Sequence, residues 1–298
     1  MNKPLPMKQG VTPSAHWLPL GNWSSLLDYL KVQFPEISEE IWLKRLQKKE
    51  VVSESGEVYH AHSLYPASTR IYYYREIEDE PRIPFYETIL FEDEHIVVVD
   101  KPHFIPVVPS GRFLHQSLLV RLKHRLNLPE LSPIHRIDRE TAGLVVFCKN
   151  EAERGGYQNL FADRKVNKTY VAIAPINLEL TFPLTFACKM VEANPFFRMK
   201  KVHGEANSET WIEQSQKLGD YALYTLKPVT GKKHQLRVHL AALNIPILND
   251  PYYPELRDWD KSDFKNPLKL LAKKLEFIDP FSGETRCFES QLDLTLDE

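Results

Sequence analysis

Residues 133–148 read PIHRIDRETAGLVVFC, and both the fold and the chemistry of the chain turn on them. The second half, Leu144-Val145-Val146-Phe147-Cys148, is a short unbroken apolar run rich in β-branched residues, the pattern of a buried strand. The first half sets Asp138 between Arg136 and Arg139, directly before that strand. Adjacent cations keep a carboxylate ionised, so Asp138 would be available as a nucleophile or base at neutral pH. The same residues read equally well as an ion pair stabilising the start of the strand.

The surrounding sequence repeats the strand signal and mixes it with helices. His95-Ile96-Val97-Val98-Val99-Asp100 predicts a buried strand stopped by Lys101-Pro102, with loop over 104–111. Residues 151–161 predict a helix, and 169–174 and 221–226 predict strands. Gly231 precedes a helical run through Leu236, Leu240 and Leu243. There is no strict βαβ rhythm. The expected class is therefore α+β, a mixed and largely antiparallel central sheet with flanking helices. Upstream, Leu26, Leu27, Leu30 and Phe34 share a helical face ended by Pro35, and Ser38 is placed to cap a second helix through Trp42 and Leu46. Short strand-like pieces run from Val51 to Tyr74, so a small α/β module precedes the main region. The expected organisation is an arm over 1–20, the small module over 21–80 and a larger domain over 85–298, with an acidic, Pro-containing linker over 76–84.

Length and composition agree with two folded parts. The chain has 298 residues, 43% of them hydrophobic and 26% charged, which is ordinary globular usage. No apolar run approaches the length of a membrane span, and residues 1–23 lack a signal-peptide pattern. Three widely spaced cysteines suit a reducing cytosol and exclude a cysteine-rich zinc site. The formal charge of -2 argues against a nucleic-acid partner. Charge by segment argues the other way. Residues 101–170 carry a net +6 and 195–240 a net +4, while 241–298 carry -5. Screening confines each charge to about 8–10 Å, so the field at a site matters more than the total. Two basic blocks holding the densest polar motifs favour an anionic ligand.

Two further motifs lie in those blocks. Gly231-Lys232-Lys233-His234-Gln235-Leu236-Arg237-Val238-His239, if helical, places His234 and Arg237 three apart on one face, suited to a carboxylate or phosphate partner. A plain amphipathic helix with a solvated basic side has the same spacing. Lys168-Thr169-Tyr170 sets an aromatic beside a cation on a strand, where the ring would stack on a base and the lysine meet a phosphate. A lone tyrosine also serves simply as packing. His60-Ala61-His62 lacks a third ligand, so no metal is expected. The glycine-rich nucleotide loops and the G-x-S-x-G elbow are absent from the sequence.

Taken together these stretches resemble the RluA-type family of RNA pseudouridine synthases. His135 to Leu144 is similar to H-R-L-D-x-x-T-S-G-L, the motif around that family's catalytic aspartate, with Ile137 for Leu and Ala142 for Ser. Lys168-Thr169-Tyr170 resembles its K-x-Y strand. Residues 231–251 resemble G-R-x-H-Q-I-R-V-H-x-x-x-x-G-x-P-I-x-G-D, with Asn249 at a glycine position. Residues 92–102 resemble the opening strand motif. Leu270-Leu271-Ala272 stands for Leu-His-Ala, before a segment similar to H-P-x-T-G-E. Residues 21–80 stand where relatives carry an S-four-type RNA-binding domain, named for a ribosomal protein, here in degenerate form because acidic residues offset its lysines.

The resemblance implies the pseudouridine synthase fold and isomerisation of uridine to pseudouridine in ribosomal RNA or tRNA, with no cofactor and no metal. Asp138 would attack the ribose anomeric carbon or assist a glycal route, Arg237 would pair with it, and Tyr170 would stack on the uracil. Arg136 would fill the space left by the flipped base. Arg139, Lys168, Lys232, Lys233 and His234 would complete the RNA-binding set. The protein would act as a cytoplasmic monomer with RNA, and no membrane, as partner. Two other readings stand beside this one. A nucleosidase or glycoside hydrolase would use Asp138 with a second carboxylate, for which Glu140 is the nearby choice. A non-catalytic RNA-binding factor would use only the basic segments.

Overall fold

The computed structural model describes residues 4–77, 79–257 and 264–296. The expected arm therefore loses residues 1–3 from description, the linker residue 78, and the main domain residues 258–263 and 297–298. The chain divides into two units, one of Met1–Glu80, Pro109–His115 and Val120–Pro129, the other of Pro81–Val108, Gln116–Leu119 and Glu130–Glu298.

The first unit carries β1 (Ser14–Leu18), α1 (Leu26–Gln33), α2 (Glu39–Gln47), β2 (Val51–Ser53) and β3 (Thr69–Tyr73). Both helices begin as their sequences require. Ser25 Oγ accepts from the Asp28 amide at 3.1 Å, and Ser38 Oγ from the Ile41 amide at 3.4 Å. The predicted apolar face of α1 is buried with Trp42, Leu46, Val51 and Tyr73 in one core. The strands form an antiparallel sheet in the order β1-β3-β2. Part of the expected arm is thus a strand. Ser14 to Leu18 pair with Tyr73 to Thr69, because β3 offers an edge whose backbone groups need partners.

Strands β4 (Thr88–Glu92) and β5 (Ile96–Lys101) open the second unit. Helix α3 (Leu118–Leu126) follows in sequence, with Leu118 and Leu119 in the second unit and the rest in the first. Then come β6 (Ser132–Pro133), β7 (Ala142–Cys148), α4 (Arg154–Ala162), β8 (Asn167–Pro175), β9 (Leu184–Glu192) and β10 (Met199–Val202). The chain continues through β11 (Ser208–Leu218), β12 (Tyr221–Pro228), α5 (Gln235–Ala242), β13 (Leu270–Ile278) and β14 (Thr285–Glu289). The sheet runs β10-β9-β11-β12-β8-β13-β7-β5-β4, with β6 on β7 and β14 on β13. Every pairing is antiparallel except β13 with β7. The α+β expectation holds.

Burial explains the strand sequences. Every residue of β5 and β7 is buried, which is why both read as continuous apolar runs rather than alternating ones. On one face Ile96, Val98, Leu144 and Val146 pack with Tyr157 and Leu160 of α4. Farther along, Leu236 and Leu240 of α5 pack against Ala172, Tyr224 and Leu226, as their spacing predicted.

The parallel junction positions the site. Leu271 and Ala272 of β13 pair with Ala142 and Gly143 of β7, while Ala272 also pairs with Tyr170 of β8. Tyr170, Ala272 and Gly143 therefore lie in one row across the sheet. A side chain at Gly143, whose φ is +108°, would collide with the Ala272 backbone, so only glycine lets these strands meet. Asn249, which stands for a glycine in the resembled motif, has φ +62°, a left-handed conformation that asparagine tolerates well among residues with a side chain.

Candidate active site

Asp138 lies on the turn between β6 and β7, its carbonyl accepting from the Thr141 amide at 3.2 Å. Two side chains, one at the end of β5 and one just after it, hold the next carbonyls. Lys101 Nζ donates to the Arg139 carbonyl at 3.2 Å, and His103 Nδ1 donates to that of Glu140 at 2.6 Å. Lys101 belongs to β5, the neighbour of β7, so the turn is fixed to the sheet on both sides. Burial drives the Lys101 pKa down to about 7, against the pull of Glu140 and Asp138.

The Asp138 carboxylate keeps 27% exposure, enough to meet a ligand. Its Oδ2 accepts from Arg237 Nη1 at 3.1 Å, and its Oδ1 lies 3.7 Å from His234 Nε2. Burial pushes the Asp138 pKa up, but His234, Arg237 and Lys101 outweigh it and hold the carboxyl below its usual value. His234 is itself lowered to about 4 by burial, so it is neutral at pH 7 and the Arg237 cation is what keeps Asp138 ionised there. The magnitudes agree. A pair near 4 Å gains about 4 kcal/mol at an effective dielectric of about 20. Full burial of a carboxylate costs about 4–7 kcal/mol, and Asp138 is only partly buried.

Arg237 is 1% exposed and fully engaged. Its Nε and Nη2 donate to Asp250 Oδ2 and Oδ1 at 2.8 and 2.7 Å, and Glu140 Oε2 stands 3.9 Å from Nη1. Burial opposes its charge, but the Asp250 hydrogen bonds, with Asp138 and Glu140, raise its pKa. Glu140 moves opposite to Asp138: burial raises its pKa despite Arg237. The tyrosine at 170 is half-buried on β8, and burial together with the Asp138 charge keeps its phenol neutral.

Helix α5 starts one residue later than the shared-face reading of His234 and Arg237 required. Only Arg237 is helical; His234 precedes the helix with φ +56°. That left-handed turn still brings its ring to Asp138. His234 Nδ1 is 2.9 Å from the Tyr253 hydroxyl, which accepts from the Met199 amide. Placing the His234 proton on Nε2 lets Nδ1 accept from Tyr253 and faces Asp138 with a donor rather than a lone pair.

The expected RNA-binding residues separate into two sets. Arg136, Lys232 and Lys233 are exposed, and Lys168 is half-buried beside Gly231. Arg139 turns inward instead: its Nε donates to the Phe104 carbonyl at 3.0 Å and its Nη1 stands 3.7 Å from Glu140. Sequence reasoning passed over Lys101, His103, Asp250 and Tyr252, whose ring lies 4.7 Å from the Arg237 guanidinium carbon. Asp250 lay inside a motif already singled out, and a buried arginine's need for a second carboxylate was the signal that would have found it. Among the described residues no group of three or more His, Cys, Asp or Glu side chains could hold a metal, and no helix is long and apolar enough to cross a membrane.

Comparison with known proteins meets the same residues. The RNA pseudouridylate synthase family profile matches residues 95–242, a span that contains Asp138, Tyr170 and Arg237. A human protein, Pseudouridylate synthase RPUSD2, is 36% identical over 169 residues, covering 55% of this chain but 30% of its own. The chain thus spans under a third of that relative's length. Dual-specificity RNA pseudouridine synthase RluA of Haemophilus influenzae is 31% identical over 222 residues, covering 73% of this chain and 98% of its own. Among solved structures, Human RNA Pseudouridylate Synthase Domain Containing 4 superposes with a TM-score of 0.54 at 26% identity, over 69% of this chain and 88% of that one. An aspartate turn fixed to a mixed sheet, an arginine from a later helix upon it and alignment of 73% of this chain with almost the whole of a bacterial relative lead to one conclusion: the chain belongs to the RluA-type family of RNA pseudouridine synthases.

Proposed function

We propose that this protein isomerises uridine to pseudouridine in a structured ribosomal RNA or tRNA. The observation that carries the reading is the Asp138 carboxylate, partly open to a ligand and kept ionised by a buried arginine. A uridine inside a folded RNA must first leave its stack, at a cost of a few kcal/mol. Exposed Arg136 fills the gap, and Lys232, Lys233 and Lys168 meet phosphates. Tyr170 stacks on the uracil. Asp138 then acts on the ribose as the bond between C1′ and N1 breaks. The uracil turns, C5 bonds to C1′, the proton of C5 leaves to solvent, and N1, freed from C1′, takes up a proton. The product is an isomer, so no oxidant or reductant is consumed. The α1–α2 pair and the strands β2 and β3 within residues 21–80 serve as a reduced RNA-binding module. The protein works as a monomer in the cytoplasm.

Release of tritium from 5-tritiated uridine in RNA of cells lacking this gene tests the reading. Wild-type protein releases it. Asp138→Asn retains RNA binding and fold but releases none. Full activity in that variant, or free uracil among the products, refutes the assignment.

A further inference from the structure

The Arg237 guanidinium has two carboxylates within hydrogen-bond range, and the reaction needs only one of them at the ribose. Asp250 takes two guanidinium nitrogens, Nε and Nη2, at 2.8 and 2.7 Å, in a planar fork. Asp138 receives only Nη1, and on Oδ2 only. Asp250 is itself locked. Its side chain has no exposure, and its Oδ1 also accepts from the Tyr252 and Tyr253 amides at 2.8 and 3.2 Å. The rings of the same two residues lie 4.7 and 5.5 Å from the guanidinium carbon. One turn, entered through the left-handed Asn249, therefore fixes the guanidinium in its plane and over its face.

We propose that Asp250 is a positioning residue: by occupying Nε and Nη2 it prevents Arg237 from turning to grip both oxygens of Asp138, and so leaves Asp138 Oδ1 free of the guanidinium to act on the ribose. The proposal rests on the pseudouridine synthase reading of Asp138. A bidentate Arg237–Asp138 pair would satisfy both carboxylate oxygens and draw them from the substrate. The fork onto Asp250 makes the contact single and aimed.

The test uses the full chain and 5-tritiated uridine RNA from cells lacking this gene. Asp250→Asn keeps an oxygen to accept from the two backbone amides but cannot complete the charged fork. Its single-turnover tritium release should fall about 10²-fold, as a misplaced catalytic group does. Retention of the RNA on filters should change by less than about threefold, since the fork acts on the chemical step. The double variant Arg237→Ala/Asp250→Asn should be no slower than Arg237→Ala, because residues acting through one another are not additive. A wild-type rate in Asp250→Asn, or a double variant slowed by the product of the single effects, overturns the proposal. If Asp250→Asn alone fails to fold, the double variant, which removes the buried cation as well, is compared with Arg237→Ala directly. Hydrogen exchange at Arg237 Nε, followed by nitrogen-15 NMR, is independent of activity. It should quicken at least about tenfold in Asp250→Asn, since a charged hydrogen bond is worth about 1.5–3 kcal/mol, and should be unchanged in Asp138→Asn. Unchanged exchange in Asp250→Asn overturns the proposal even if no RNA proves to be a substrate, whereas a wild-type protein releasing no tritium counts against the catalytic reading instead.

Discussion

The chain buries two arginines to almost the same extent and treats them in opposite ways. Arg45, in the first unit, is 2% exposed; its Nε and Nη1 have no hydrogen-bond partner, and its guanidinium carbon lies 4.6 Å from the Trp42 ring and 5.7 Å from that of Tyr73. Burial lowers its pKa, with Glu76 and Glu50 opposing. Arg237, in the second unit, has Asp250 and Asp138 on its nitrogens, and its pKa rises. A buried cation resting on ring faces contributes packing and a modest cation–π attraction. A buried cation shared between carboxylates fixes the charge and aim of one of them. The difference separates an arginine that packs from one that the proposed reaction uses.

The largest effect should come from breaking the second arrangement. Arg237→Ala leaves Asp250, Asp138 and Glu140 without their shared cation, and removing one partner of a buried ion pair costs about 3–5 kcal/mol. Urea unfolding should show that loss, and tritium release should nearly vanish. The residual rate should also change its pH dependence. In the proposed reaction Asp138 works deprotonated, and in the intact protein its pKa lies below the usual carboxylate value. Without Arg237 burial is less opposed, the pKa rises, and the rate should decline at a higher pH as the solution is acidified. An unmoved acid limb would remove Arg237 from the role of holding Asp138 ionised.

An intermediate effect tests the exposed cations against the buried one. Lys232→Gln/Lys233→Gln should weaken RNA binding and flatten its salt dependence, by about 0.9 in the log–log slope for each phosphate no longer neutralised. The single-turnover rate at saturating protein should hold. A slope equal to wild type would mean that neither lysine meets a phosphate.

The smallest effect should come from the first unit. Arg45→Met replaces a buried cation whose Nε and Nη1 have no hydrogen-bond partner with an apolar chain of similar length, and urea unfolding should show no loss of stability. Tritium release should not change. Loss of activity at unchanged stability would erase the contrast between the two arginines.

Legibility along the chain followed how local each signal was. The cap at Ser38 and the apolar faces of α1 and α5 were readable because they depend on residues three and four apart. The runs in β5 and β7 were readable because both strands are buried on two faces. Strands β9, β11 and β13 were missed. Strand β11 alternates buried Ser208, Thr210 and Ile212 with more exposed neighbours, but polar residues occupy two of those inward positions and hide the period. Strand β1 was missed because its pairing with β3 spans more than fifty residues.

Asp138, Tyr170 and Arg237 were named from their motifs, and the structure brings Asp138 and Arg237 into contact across 99 residues of sequence. Residue types and short spacings determined which groups are chemically capable and which local elements carry them, because propensity, capping and amphipathic faces act within a turn or two. Tertiary structure alone decided that Arg139 faces inward, that Lys101 and His103 hold the aspartate turn, and that Asp250 shares Arg237 with Asp138. Desolvation and a guanidinium's choice of partner are set by which strands and turns close around it, and no window of sequence contains that geometry.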